Sequence, residues 1–214
     1  MNQLEDKITQ KFEDNKDIFL AHMEEKYEKT FLPVSYTSEG VVVDEEFRCY
    51  VEGTDKERDV ISVIRQEENG EEVIYDDYFG ILIRDEYENR VQNLCSEVVD
   101  EAKVYINQFE VSYFSNELTK EHTIDDAVAM GQSISAFKYI FFEVVPGEEE
   151  AFYNACEYMC NVMKEKRFTG SVNFLGLAKG ELQNINVDNY LTYIPNLIKP
   201  DGEICLMMSN HFVK

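Results

Sequence analysis

The stretch Val60-Ile61-Ser62-Val63-Ile64-Arg65-Gln66-Glu67-Glu68-Asn69-Gly70-Glu71-Glu72-Val73-Ile74-Tyr75-Asp76-Asp77-Tyr78 decides the fold of the N-terminal half. Asn69-Gly70 lies between two β-rich runs, Val60 to Gln66 and Glu72 to Tyr78. Both of its residues tolerate positive φ, which a tight hairpin of matching twist requires. The period of two extends upstream to Val34, with turns at Glu39-Gly40 and Gly53-Thr54-Asp55. Three or four antiparallel strands are expected between residues 34 and 78.

Helices flank this meander. Leu4, Ile8, Phe12, Phe19, Met23 and Tyr27 recur at a 3.6 period, so the first 30 residues are expected to form an amphipathic helix. Pro33 closes it, since a residue before proline is pushed out of the helical region. Downstream, Phe79-Gly80-Ile81-Leu82-Ile83-Arg84 reads as extended or turning, with Gly80 permitting a bend. A second helix then opens on the capping-box-like pair Asp85 and Glu88, and buries Tyr87, Val91, Leu94, Cys95, Val98 and Ala102.

Residues 107–214 alternate strand and helix. Phe109 to Ser115 reads as a strand, and Thr123 caps a short helix beginning Ile124-Asp125-Asp126. Lys138 to Val145 is a nearly continuous apolar run, as a central strand buried on both faces requires. Pro146-Gly147-Glu148-Glu149-Glu150 opens a helix whose buried face is Phe152, Ala155, Cys156, Met159, Cys160 and Met163. Ser171 to Lys179 is a strand, Val187 to Ile194 a short helix, and Glu203 to Met208 a last strand after Pro200-Asp201-Gly202. The fold class is α+β: a helix-meander-helix half, residues 1–106, packed on or joined to an alternating β/α half, residues 107–214, with a soft boundary near Asn107.

Charge narrows the function. The chain has 214 residues, 20 Lys+Arg against 43 Asp+Glu and a net charge of −23. Residues 1–100 carry 11 basic and 27 acidic residues, net −16, and the remainder is net −7. A generic nucleic-acid binder needs a cationic face, so that class is excluded; a protein partner would be basic. The 44% hydrophobic content excludes a disordered chain. No stretch approaches the length of apolar sequence that a membrane span needs, and the first 20 residues have five acids where a secretory signal would be basic and apolar. A chain starting at Met1 is expected in the cytoplasm, and outside it or lipid-anchored if a leader precedes Met1. Five cysteines, an odd number, read as reduced thiols.

Motifs of chemistry are sparse. Cys156 and Cys160 stand one helical turn apart but lack the second ligand pair of a zinc site, so packing is the expectation. His22, His122 and His211 fall in no His-Glu-x-x-His pattern; His22 reads as a half-buried structural imidazole. Gly131-Gln132-Ser133-Ile134-Ser135 lacks the second glycine of a nucleophile elbow. No glycine-rich phosphate loop occurs. The acid groups Asp76-Asp77, Glu71-Glu72 and Asp44-Glu45-Glu46 sit near strand ends without EF-hand spacing. No cofactor and no catalytic or metal-ligating residue is assigned. The residues singled out are Asp77, Tyr78, Phe79, Arg84 and Tyr87 around the sheet-to-helix junction, because Tyr, Phe and Arg are types that anchor protein contacts.

Two segments resemble a family of uncharacterised Gram-positive bacterial proteins, some of them lipoprotein-like. They are Met23-Glu24-Glu25-Lys26-Tyr27-Glu28 and Asp77-Tyr78-Phe79-Gly80 through Arg84-Asp85-Glu86-Tyr87-Glu88. The likeness covers roughly residues 1–106, and Glu28 stands where the family pattern has glycine. The resemblance implies no activity, so it transfers no functional residue. The expectation is an acidic, non-enzymatic accessory or protein-interaction protein. The alternatives are a hydrolase or other enzyme whose site is assembled from distant residues, and a weak binder of Ca²⁺ or cationic ligands.

Overall fold

A computed structural model describes residues 3–37, 45–56, 58–110, 113–145, 147–194 and 206–212. The fold is α+β. The chain forms two compact units, one of Met1–Ile83 with Ser112–Asp126, the other of Arg84–Val111 with Ala127–Lys214. The sequence boundary near Asn107 falls within a strand of the second unit, and 112–126 returns to the first.

The first unit is a helix on a meander. Helix α1 (Gln3–Tyr27) precedes strands β1 (Phe31–Thr37), β2 (Glu46–Val51), β3 (Ile61–Glu68) and β4 (Glu71–Asp76). The strands pair antiparallel in the order β1-β2-β3-β4. Asn69 and Gly70 take φ of 54° and 86°, the tight turn that their sequence predicts. The turn at Glu39-Gly40 lies outside the described residues. Phe19, Met23 and Tyr27 of α1 bury against Phe47, Cys49, Ile61 and Val63 of the sheet, which is the apolar stripe meeting the apolar strand face. Phe19 and Phe47 stack at 5.2 Å.

α1 ends at Tyr27, and Glu28 adopts φ 53°. Its N–H still reaches Glu24 O at 2.9 Å, so a left-handed residue other than glycine closes the helix.

Helix α2 (Tyr78–Cys95) corrects the reading of residues 79–84 as extended or turning. Gly80 lies inside the helix. The start is made two residues upstream: Asp76 Oδ1 accepts from Tyr78 N at 3.0 Å, and Gly80 N donates to Asp77 O at 3.0 Å. Asp85 and Glu88 are therefore mid-helix, and Glu88 Oε1 instead accepts from Ile106 N at 2.7 Å. The helix also stops earlier than expected: Ala102, read as its last buried position, begins β5 (Ala102–Phe109). The expected strand 109–115 is displaced accordingly.

In the second unit β5, β6 (Ala136–Glu143), β7 (Gly170–Leu177) and β8 (Leu206–Phe212) lie in that order. The β6–β7 pair is parallel and its two neighbours are antiparallel. β6 is central and almost wholly buried, as its apolar run requires. α4 (Glu149–Glu165), which follows the six-residue α3 (Ile124–Ala129), links β6 to β7 and buries Phe152, Cys156, Met159, Cys160 and Met163. At its end Phe168 N donates to Met163 O at 2.9 Å and Arg167 N to Lys164 O at 3.2 Å, a Schellman pair with Arg167 at φ 63°. Tyr139, Phe141, Leu175, Leu182, Ile185 and Tyr190 form a separate apolar cluster. The short helix expected at 187–194 is a 3₁₀ turn, Tyr190–Tyr193, whose Tyr190 stacks on Tyr105 at 4.7 Å. Gly170 (φ 103°) is required by proximity: a Cβ there would lie 2.3 Å from Ala136 O.

Candidate functional site

In the first unit, ionisable groups concentrate where β4 hands over to α2. Asp76, the last residue of β4, is fully buried. Its Oδ1 accepts from Tyr27 Oη at 2.7 Å and from Tyr78 N at 3.0 Å, and its Oδ2 accepts from Lys26 Nζ at 2.7 Å. A buried carboxylate demands such partners, because desolvation without them costs several kcal/mol. Lys26 lies on the same helical turn as Tyr27, and its nearly buried ammonium also reaches Asn116 Oδ1 at 3.5 Å. Burial, reinforced by the Asp76 charge, drives the Tyr27 hydroxyl far above its ordinary pKa.

Asp77 differs from its neighbour. Its Oδ1 accepts from Ser62 N at 2.9 Å. Burial pushes its pKa up to about 7, the Asp76 charge acting in the same direction and the Ser62 N–H against it. A buried carboxyl whose pKa is raised in this way is the kind of group a general acid uses. Asp76, however, spends both oxygens on protein donors. His22, one turn before Lys26, is half-buried as expected; burial lowers its pKa, and among the described residues no partner reaches its Nε2. Cys49 is buried, and its thiol is pushed up to about 12.

The same β3–β4 hairpin presents a second feature at its tip. Glu67 faces Glu72 and Glu68 faces Glu71 in direct cross-strand register, and all four are exposed. Arg65 offers them little. Its guanidinium binds Glu45 at 2.8 and 2.9 Å and Asn15 Oδ1 at 2.7 Å, leaving Nη1 3.5 Å from Glu72. Glu68 accepts from Tyr75 Oη at 2.5 Å.

The five singled-out residues serve largely internal roles. Tyr78 and Phe79 are buried, Tyr78 edge-on to Tyr27 at 4.7 Å and Phe79 to Phe114 at 5.2 Å. Tyr87, in the second unit, is buried between Phe109 and Phe168. Aromatic rings committed to a core cannot anchor a partner; only Asp77 and Arg84 keep partial exposure. Asp77, Tyr78 and Phe79 belong to the first unit, Arg84 and Tyr87 to the second.

Lys138 was absent from the sequence-based candidates. It is fully buried in β6, and its Nζ donates to Ala136 O at 2.8 Å, Thr169 O at 2.7 Å and Tyr87 Oη at 3.4 Å. Burial lowers its pKa to about 8. The signal was one lysine in a run otherwise read as buried on both faces. All three of its protons have acceptors, so it acts as an internal clamp between the starts of β6 and β7.

Cys156 and Cys160 are buried free thiols on α4, and burial raises the Cys156 pKa. His122 Nδ1 accepts from Thr119 N at 3.1 Å, a local turn contact. Glu46 accepts from Ser62 Oγ at 2.6 Å. Asp44 and Cys205 lie outside the described residues. Among the described residues no group of three or more His, Cys, Asp or Glu is placed to hold a metal ion, and no helix is long and apolar enough to cross a membrane.

No family model matches the chain, and no curated protein matches it. Among solved structures it is similar to a DUF5037 family protein from Ruminococcus gnavus, of an uncharacterised family, at 14% identity and a TM-score of 0.40, over 78% of this chain and 76% of that one.

Proposed function

We propose that this is an acidic, non-enzymatic interaction protein whose first unit receives a basic protein partner. The observation that carries the reading is the two opposed carboxylate pairs, Glu67 against Glu72 and Glu68 against Glu71, at an exposed hairpin tip. Like charges directly opposite on paired strands destabilise a sheet. A cationic partner relieves that repulsion on binding, so the unit keeps a local cost that a complex returns. The ionisable groups with the strongest chemistry, Asp76 and Lys138, have their hydrogen-bonding capacity taken up inside the fold.

The test is titration of the protein with a capped lysine hexapeptide at increasing salt. Affinity should fall with ionic strength. It should drop about tenfold or more in a variant carrying Glu67→Gln, Glu68→Gln, Glu71→Gln and Glu72→Gln, while that variant's stability rises by about 0.5–2 kcal/mol. Unchanged affinity in the variant would refute the reading.

A further inference from the structure

We infer that the outer edge of β4 receives an extended, basic segment of the partner as a fifth strand of the sheet. This rests on the acidic-interaction reading and specifies how the partner docks.

The two edges of the first sheet are built differently. β1 carries Pro33, and its register with β2 shifts between Pro33 and Ser35. Proline and irregularity are devices that keep a strand edge from pairing. β4 has neither. It runs in unbroken register with β3 from Glu71 to Asp76, with Val73, Ile74 and Tyr75, residues suited to a ladder, in its middle.

The hairpin parity assigns its main-chain groups. After a two-residue turn, Glu68 and Glu71 form the closing hydrogen-bonded pair, so Glu71, Val73 and Tyr75 direct N–H and C=O toward β3. Glu72, Ile74 and Asp76 direct theirs outward. Asp76 confirms the parity: its C=O accepts from Phe114 N at 3.5 Å, a main-chain bond made by an approaching segment of the same unit. The edge is thus already used by a main chain at one end. Among the described residues no main-chain group pairs with the outward groups of Glu72 and Ile74.

Charge selects the occupant. Glu71 and Glu72 lie on the strand itself, with Glu67 and Glu68 immediately behind. They repel a second copy of this chain, whose own β4 carries the same carboxylates, and favour lysine or arginine on the incoming strand. Main-chain bonds would then supply affinity and the glutamates specificity, as in strand addition generally.

The probe is a capped octapeptide of alternating lysine and valine, compared with the same peptide N-methylated on alternate amides, by calorimetry at physiological salt. Loss of about tenfold or more on N-methylation is expected, since a main-chain bond or two is removed without changing charge. Glu72→Pro, which deletes an outward N–H and leaves the β3 ladder intact, should weaken the unmethylated peptide beyond Glu72→Gln, which deletes only the charge. Equal binding of both peptides would overturn the strand-addition inference while leaving the acidic-interaction reading standing. Binding of neither would overturn both. The peptide comparison uses the unaltered protein, so it decides the matter even if the proline variant fails to fold.

Discussion

Tyr27 Oη donates to Asp76 Oδ1 across 2.7 Å, joining the last residue of α1 to the last residue of β4. Both side chains are fully buried. The bond ties the helix to the strand at the point where Asp76 also starts α2, so a single carboxylate organises three elements.

Tyr27→Phe removes that donor and leaves Asp76 with Lys26 and the Tyr78 N–H. A hydrogen bond to a buried charge is worth about 1.5–3 kcal/mol, and the variant should lose stability in that range by urea unfolding. A loss below about 0.5 kcal/mol would mean that Lys26 and the Tyr78 N–H together satisfy the carboxylate without the tyrosine.

Lys138 gives a prediction at alkaline pH. Its folded pKa of about 8 lies below the ordinary lysine value, so between pH 8 and that value the unfolded chain holds more protons than the folded one. Stability from this group therefore rises as pH increases through that window. Lys138→Met, which keeps the length of the chain but not the charge, should lack the rise. Parallel pH profiles of stability for wild type and variant would refute the assignment.

Much of the fold was legible because local chemistry and tertiary demand agreed. Asn69-Gly70 supplied the positive φ that its turn uses, and the stripe from Phe152 to Met163 met the sheet it predicted. The 79–84 segment misled for a physical reason. Phe79-Gly80-Ile81-Leu82-Ile83 has no polar residue to reveal a period, and the aspartates that start α2 lie in what reads as the preceding strand. Alanine favours helix, so Ala102 read as the helix's last buried position, and its pairing with Phe142 overrides that propensity. At the candidate site, the acid pair Asp76-Asp77 was visible, whereas the partners that make its members different come from Tyr27, Lys26 and Ser62 through tertiary contact. The aromatic types around Asp77 were read for a surface because residue type carries no burial information.

Glu28 tests the cost of a left-handed helix end. At φ 53° its Cβ is strained, and glycine adopts that conformation freely. Its carboxylate pairs with Lys120, but the glutamate side chain is 74% exposed and such a pair contributes little. Glu28→Gly should raise stability by about 0.5–1 kcal/mol despite losing the ion pair. A net loss in thermal unfolding would show that the Lys120 contact outweighs the strain.

Asp77→Asn separates charge from hydrogen bonding at the β4–α2 junction. Asparagine retains an oxygen that can accept from Ser62 N, and loses the carboxylate beside Asp76 and Glu46. The wild-type group has a folded pKa of about 7, above the ordinary aspartate value, so in the interval the folded protein holds more protons than the unfolded chain. Stability from Asp77 is therefore greatest at acid pH and declines as pH rises toward and through 7. Allowing for partial exposure, the decline is about 1–3 kcal/mol. The lowered pKa of His22 acts with the opposite sign, since the unfolded chain takes up a proton there first on acidification, so the wild-type profile alone does not isolate Asp77. The difference between wild type and Asp77→Asn does: the variant should gain on the wild type steadily between about pH 4 and pH 8. A difference independent of pH would mean that burial does not shift the titration of Asp77.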